Sequence, residues 1–281
     1  MNKRIVVLGS TGMAGHVIAK FLTHYGYDIY KISKSEHPGL NSYQLDVTNF
    51  TLLEETLKQI NPDIIINAIG ALIKQSQNDQ PKTVLLNAYL PKWLEQLYKK
   101  TQTKIIHIST DCVFSGSIGN YKENDFKDGD TFYDRTKSLG EIVNDKDLTF
   151  RMSIIGPEIK NGEGLFHWFM NQKGSINGYT KAFWNGITTI ELAKGIKCAI
   201  EQNLTGLYHL VPDKNIDKYN LLCLFKKYSQ KNIDIVPYSD VFIDKTLINT
   251  RTDFDYKVSG YEQQVREMFE WIEKNTKIYN Y

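Results

Sequence analysis

Four apolar residues run without a break over 5–8, stop at Gly9, and give way to Val17, Ile18, Phe21 and Leu22 at helical spacing. An unbroken Ile/Val/Leu run is the pattern of a strand buried on both faces, and the three-and-four spacing is that of a helix with one face inward. The alternation then repeats. Strands are predicted over 27–32, 45–48, 64–70, 104–108 and 148–155. Helices are predicted over 49–58, 82–99 and 133–141, the long one carrying Val84, Leu85, Leu90, Trp93, Leu94 and Leu97 on its apolar face. Buried strands alternating with amphipathic helices imply an α/β fold built on a doubly wound parallel sheet. Beyond residue 156 the pattern loosens. The stretch 165–170 carries His167 and Trp168, and a strand and turn within 174–184, a helix over 189–201, a strand over 206–211 and helices over 218–229 and 261–275 are predicted there.

Composition narrows the class. With 281 residues the chain suits one large domain or a core with a smaller lobe. Lys and Arg number 34 against 32 Asp and Glu, a net charge of +2 with no long basic run, so neither nucleic acid nor a membrane surface is an expected partner. No apolar stretch approaches the ~20 residues that span a bilayer, and the first strand begins at once, without a signal peptide. Cys112, Cys198 and Cys223 are scattered without metal or redox spacing, so reduced thiols, no metal and a cytoplasmic location are expected.

The turn after the first strand carries the first chemistry. Gly9, Gly12 and Gly15 recur every third residue, with Thr11, Met13 and Ala14 between them, where a strand meets a helix. Glycines there permit a sharp turn and close approach to a ligand, and the helix N-terminus offers free N–H groups to a pyrophosphate. After the second strand stand Ser33 and Lys34 rather than an acid. An acid would bond adenosine ribose hydroxyls, as in NAD sites, whereas a hydroxyl and a cation welcome the 2′-phosphate of NADP. Lys34 can also be read as an ordinary solvated lysine. Asp46 either accepts from the adenine amino group, with the Val47 backbone beside it, or caps the following helix. Ala68, Ile69 and Gly70 end a buried strand in residues small enough for the backbone to pass the cofactor. Ser109, Thr110 and Asp111 follow the 104–108 strand, where hydroxyls face the crevice of an open α/β sheet. Tyr133 and Lys137, four apart on a helix, share one face. An ammonium one turn away would lower the tyrosine pKa from its usual ~10, making the pair an acid for ketone reduction; the other reading is a surface pair.

The glycine turn, the 67–70 strand end, Ser109 to Asp111 and Tyr133-x-x-x-Lys137, in that order, resemble the extended short-chain dehydrogenase/reductase family. Within it, the run from Ser109 to Gly116 followed by Tyr133 to Glu141 is similar to the dTDP-4-dehydrorhamnose reductase-like nucleotide-sugar 4-ketoreductases. The resemblance covers the first 156 residues and is diffuse afterwards. It implies a Rossmann NADP-binding domain at 1–156, with 185–211 returning to it, and a substrate-binding lobe from 157–184 and 212–281. It also implies NADPH, or NAD in its place, as cofactor and a nucleotide-linked 4-keto-6-deoxy-sugar as substrate, in deoxysugar supply for a polysaccharide. Tyr133 would donate the proton, Lys137 would also bond the nicotinamide ribose, and Thr110 would hold the substrate oxygen.

Asp111, Cys112, His167, Trp168, Trp184 and Arg251 are candidates for substrate contact. Aromatic faces stack a base and arginine suits a pyrophosphate, although tryptophan more commonly fills a core. Cys112 stands where the simple reductases carry an aromatic residue. It is either a core thiol or, paired with His167, the acid/base of a combined epimerase and reductase. A non-catalytic NADP-binding regulatory subunit is the reading from a different class, and a homodimer is the expected assembly.

Overall fold

The computed structural model describes residues 3–36, 39–160, 162–279 and 281. In β1 (Arg4–Leu8), Ile5 and Val7 face one side and Val6 and Leu8 the other, and all four are buried. A strand without a polar face needs cover on both sides, and the chain supplies helices to each. It continues through α1 (Met13–His24), β2 (Asp28–Ser33), β3 (Ser42–Gln44), α2 (Phe50–Ile60) and β4 (Ile64–Asn67). Next come α3 (Ile73–Asn78), α4 (Gln80–Val84), a wide π-turn at Leu85–Tyr89, α5 (Leu90–Tyr98), β5 (Lys104–Ile108), α6 (Phe132–Gly140), β6 (Leu148–Arg151) and β7 (Ile154–Ile155).

The second half holds α7 (Leu165–Asn171), β8 (Gly174–Tyr179), β9 (Ala182–Trp184), β10 (Ile187–Thr188), α8 (Thr189–Glu201) and β11 (Gly206–His209). It ends with β12 (Ile216–Asp217), α9 (Lys218–Ser229), β13 (Ile233–Tyr238), β14 (Ile243–Asp244) and α10 (Tyr261–Glu273). Seven strands form one parallel sheet in the order β11-β6-β5-β4-β1-β2-β3. The order reverses beside β1, which is where an open α/β sheet forms its ligand crevice. The fold class read from the alternation is thus the observed one. Helices α1 and α8 cover one face, α2 and α5 the other. A smaller lobe carries the β8–β13 pair, the β12-β9-β14 sheet and the helices α7, α9 and α10.

Three elements differ from expectation. The third strand is Ser42–Gln44, and 45–48 runs on as a turn in which Asp46 accepts from the Thr48 N–H and hydroxyl at 3.1 and 2.8 Å. Asn49, not Asp46, caps α2, accepting from the Leu52 N–H. The 148–155 strand breaks in two, and its last residues leave the sheet to pair with β10. The helix over 82–99 widens at Leu85–Tyr89. Pro91 has no N–H to return to the Asn87 carbonyl, and the α6 backbone packs there. A Cβ on Gly140 would lie 1.9 Å from that carbonyl oxygen.

Candidate active site

The crevice begins at the glycine turn. Gly9 has φ +81°, and a Cβ there would meet the Ile69 side chain at 2.9 Å and the Ala68 carbonyl at 3.2 Å. A Cβ on Gly15 would lie 2.1 Å from the Gly9 carbonyl oxygen, so this glycine lets α1 dock against the end of β1. The N–H groups of Gly9 and Ser10 donate to the Ile32 carbonyl at 2.8 and 3.2 Å, tying the turn to the end of β2. No side chain caps α1, so its first N–H groups and the positive end of its dipole face the cleft lined by Thr11, Gly12, Met13 and Ala14.

Across the cleft the end of β5 and helix α6 form the opposite wall. A capping box fixes the start of α6, the Thr131 hydroxyl accepting from the Asp134 N–H and the Asp134 carboxylate from the Thr131 N–H. One turn places Tyr133 and Lys137 on the inner face, both buried. Lys137 Nζ donates to the Ile108 carbonyl at 2.7 Å, and burial lowers its pKa to about 8 against the opposing pull of Glu141. The Thr110 side chain faces the Tyr133 phenol and pulls its pKa down against the effect of burial. Ser109 is turned elsewhere, donating to Glu141 Oε1 at 2.7 Å, while Arg151 grips Glu141 with Nε at 2.8 Å and Nη2 at 2.7 Å. That buried pair takes up Ser109 and leaves Thr110 as the hydroxyl facing Tyr133. Asn87, freed at the π-turn, bonds the Ala71 N–H and carbonyl at 2.7 and 3.1 Å and Thr136 Oγ1 at 3.3 Å. It thereby locks the Gly70 side of the cleft to α6.

Together these walls enclose a cleft of about 520 Å³ that also takes in Ala68, Ile69, Gly70, Asp111 and Cys112. Residues 158–160 and Gly164 close it from the lobe side. A second hollow of about 500 Å³ lies in the lobe, between Leu165 and Trp168 of α7, Ile176 and Tyr179 of β8, and Lys218 and Leu222 of α9. Lys218 Nζ sits 4.3 Å over the Trp184 ring, and the charges of Asp111 and Cys112 act on it from the neighbouring cleft.

This arrangement has relatives. The family model described as the RmlD substrate binding domain matches residues 3–240. The chain belongs to that family. It is 28% identical over 270 residues to the dTDP-4-dehydrorhamnose reductase of Aggregatibacter actinomycetemcomitans, covering 90% of this chain and 86% of the relative. It is 24% identical over 140 residues to the spore coat polysaccharide biosynthesis protein SpsK of Bacillus subtilis, about half of each chain, 49% and 47%. The crystal structure of dTDP-4-dehydrorhamnose reductase from Bacillus anthracis in complex with NADP superposes with a TM-score of 0.83 at 20% identity, covering 96% of this chain and 100% of that one. The short-chain dehydrogenase/reductase type expected from the motifs is met by this membership, and the chain is an oxidoreductase of that type.

Against this RmlD-type frame several residue expectations need correction. The Tyr133 pKa is raised, not lowered: burial dominates, the Cys112 charge adds to it, and the Thr110 side chain only partly offsets them. Lys34 pairs with Asp46 Oδ2 at 3.1 Å, and the buried Ser33 hydroxyl donates to the Ser35 carbonyl at 2.6 Å, so neither is free at the cleft. Asp46 is held at about 2, the Thr48 bonds and Lys34 outweighing the effect of burial, and the Val47 side chain packs into the core.

Arg251 lies at the wrong end of the sheet. Its Nη1 donates to the Thr205 and Leu207 carbonyls at 2.6 and 3.0 Å at the start of β11, and its Nε pairs with Asp253 at 2.9 Å. Trp184 is a core residue, 3% exposed, its ring tilted at 34° against Tyr261. His167 meets Tyr281 Oη at 3.4 Å and does not line the cleft that holds Cys112. Burial and the Asp111 charge push the Cys112 thiol up to about 12, so it stays protonated near neutral pH. Asp111 lines the cleft and accepts from the Thr110 hydroxyl at 3.2 Å. Trp168 borders the lobe hollow, 40% exposed.

Sequence reasoning missed Asn87, Lys160 and Lys218. Lys218 carried a usable signal, since it opens α9 just after the Asp217 cap, but nothing in its spacing tells a ligand lysine from a solvated one.

Proposed function

We propose that the chain reduces the C4 ketone of a nucleotide-linked 4-keto-6-deoxy-sugar with NADPH, in deoxysugar supply for a polysaccharide. The names of its relatives support the substrate class, and the NADP complex with the same fold supports the cofactor. The observation that carries the reading is a convergence. Thr110, Tyr133 and Lys137 line one wall of a cleft whose other wall is the uncapped α1 N-terminus. The cradle fits a dinucleotide: no side chain caps the start of α1 after the glycine turn, and a side chain on Gly9 would fill the space beside Ile69.

When bound, NADPH supplies a hydride to the ketone carbon. Thr110 holds the ketone oxygen, and the Tyr133 phenol donates the proton that the developing alkoxide takes up. A raised tyrosine pKa suits this direction, because the acid must still carry its proton when the ketone arrives. Lys137, fixed on the Ile108 carbonyl, sets a positive charge beside the phenolate left behind. The lobe hollow, with Lys218 at its edge, receives the nucleotide diphosphate, and Trp168 offers a face to the base. A cytoplasmic setting and a homodimer belong to the same reading.

The test mixes the protein with NADPH and a panel of 4-keto-6-deoxy nucleotide sugars and follows the nicotinamide absorbance. Tyr133→Phe is expected to lower kcat by about 10²- to 10⁴-fold, while NADP⁺ binding stays within about threefold of the parent. A panel that leaves NADPH unoxidised, or a Tyr133→Phe variant with the parent's kcat, would overturn the reading.

A further inference from the structure

In dinucleotide-binding sheets the adenosine ribose faces the end of the second strand, and a cation there accepts the 2′-phosphate that separates NADP from NAD. In this chain Lys34 follows that strand, yet its ammonium is taken by Asp46 at 3.1 Å. Another ammonium reaches the same place from the opposite side of the cleft. Lys160 Nζ donates to Ser35 Oγ at 2.7 Å, two residues past the end of β2, and to Thr11 Oγ1 at 3.2 Å within the glycine turn. Both partners are neutral hydroxyls, and Lys160 has no ion pair among the described residues.

The segment that carries Lys160 is held on either side of it. The Glu158 N–H donates to Tyr281 Oη at 2.7 Å. The Glu158 carboxylate turns back to the Gly164 N–H at 2.9 Å, away from the lysine. At the far end Gly164 packs against Met13 in the first turn of α1, where an added Cβ would lie 3.3 Å from Sδ. The lysine therefore stands over the seam between the glycine turn and the end of β2, on a short tether.

We propose that Lys160, reaching across from the substrate side, is the residue that binds the 2′-phosphate and sets the preference for NADP over NAD. The inference rests on the dinucleotide reading above and adds to it the source of cofactor choice. A phosphate dianion placed between Ser35 and Thr11 exchanges two neutral partners of the ammonium for a charged one, and a charge-assisted bond of that kind is the stronger. NAD offers only a ribose hydroxyl at that point.

Calorimetric titration with NADP⁺, NAD⁺ and adenosine 2′,5′-bisphosphate decides the matter without any turnover. Lys160→Gln is expected to weaken NADP⁺ and the bisphosphate by roughly 10- to 100-fold and NAD⁺ by no more than about threefold, while Lys160→Arg retains the parent's preference. Lys34→Gln is expected to change the NADP⁺ affinity less than Lys160→Gln does. Equal weakening of NAD⁺ and NADP⁺ in Lys160→Gln, unchanged binding of both, or loss of the whole preference in Lys34→Gln would each overturn the assignment. So would a parent protein that binds both dinucleotides equally, although the reductase reading would survive that result. A parent that binds no dinucleotide would overturn both.

Discussion

The sheet side and the lobe side of this molecule each place a lysine at a hollow, Lys137 at the cleft and Lys218 at the neighbouring lobe hollow, and the two are held in opposite ways. Lys137 stands on α6 with its ammonium on the Ile108 carbonyl at 2.7 Å, a partner that belongs to the fold itself. Lys218 opens α9 in the lobe, lies 4.3 Å over the Trp184 ring, and makes no hydrogen bond among the described residues. Burial brings both down to about 8. The difference lies in what completes them. The sheet supplies Lys137 with a permanent acceptor, so its position is set before any ligand arrives. The lobe gives Lys218 only a ring face and the field of Asp111. In the proposed reading its hydrogen-bonding capacity is left for a substrate anion, so the cofactor wall is preorganised by the fold and the substrate wall is completed on binding.

The comparison breaks most readily at Lys218. In Lys218→Ala the nucleotide sugar should lose a charge-assisted partner, raising KM by roughly 10- to 100-fold with kcat within about threefold of the parent. Steady-state kinetics at saturating NADPH measure both. A fall in kcat with unchanged KM would mean that Lys218 acts in the chemistry and that the two walls do not divide the work.

A pH profile sharpens the same contrast. A lysine whose pKa is lowered to about 8 is charged below that pH and loses its charge above it. Both cations serve their roles only when protonated, so kcat/KM should fall above about pH 8. With both groups titrating, the limiting fall is on the order of 100-fold per pH unit, and in Lys218→Ala about tenfold. A parent profile flat to pH 10 would show that neither ammonium matters to the free enzyme.

Legibility followed the same division. The parallel sheet was readable because a strand buried on both faces has no polar alternation, and β1, β4 and β5 all show that pattern. Tyr133, Lys137 and the glycine turn were readable because their spacing is itself the geometry: one helical turn in one case, a tight strand-to-helix corner in the other. Lys160, from an irregular segment, reaches the cleft and Lys218, from the first turn of α9, reaches the lobe hollow through tertiary packing, and residue spacing carries no record of that. Lys34 was misread for the converse reason. Its position at the end of β2 was correct, but Asp46, twelve residues on, neutralises it through a turn that no periodicity encodes. Trp184 and Arg251 follow the same rule. Side-chain chemistry made them candidates, and packing sends one into the core and the other to the start of β11.

The smallest expected effect concerns Cys112, which lies on the boundary between the two walls. Its neighbours push the thiol toward the protonated form, Asp111 by charge and the surrounding protein by desolvation, to about 12. A group so placed carries a negligible thiolate fraction at pH 7 and has no role as a base. It still occupies volume against Tyr133, whose own pKa it helps to raise. Cys112→Ser should therefore leave kcat within about threefold, and mass spectrometry of product made in D₂O should find no solvent deuterium at C3 or C5 in either protein. Deuterium present with the parent and lost in Cys112→Ser would mean that substrate binding reverses the local field. Asp111 would then have to be neutral in the complex, the direction in which its burial shifts it.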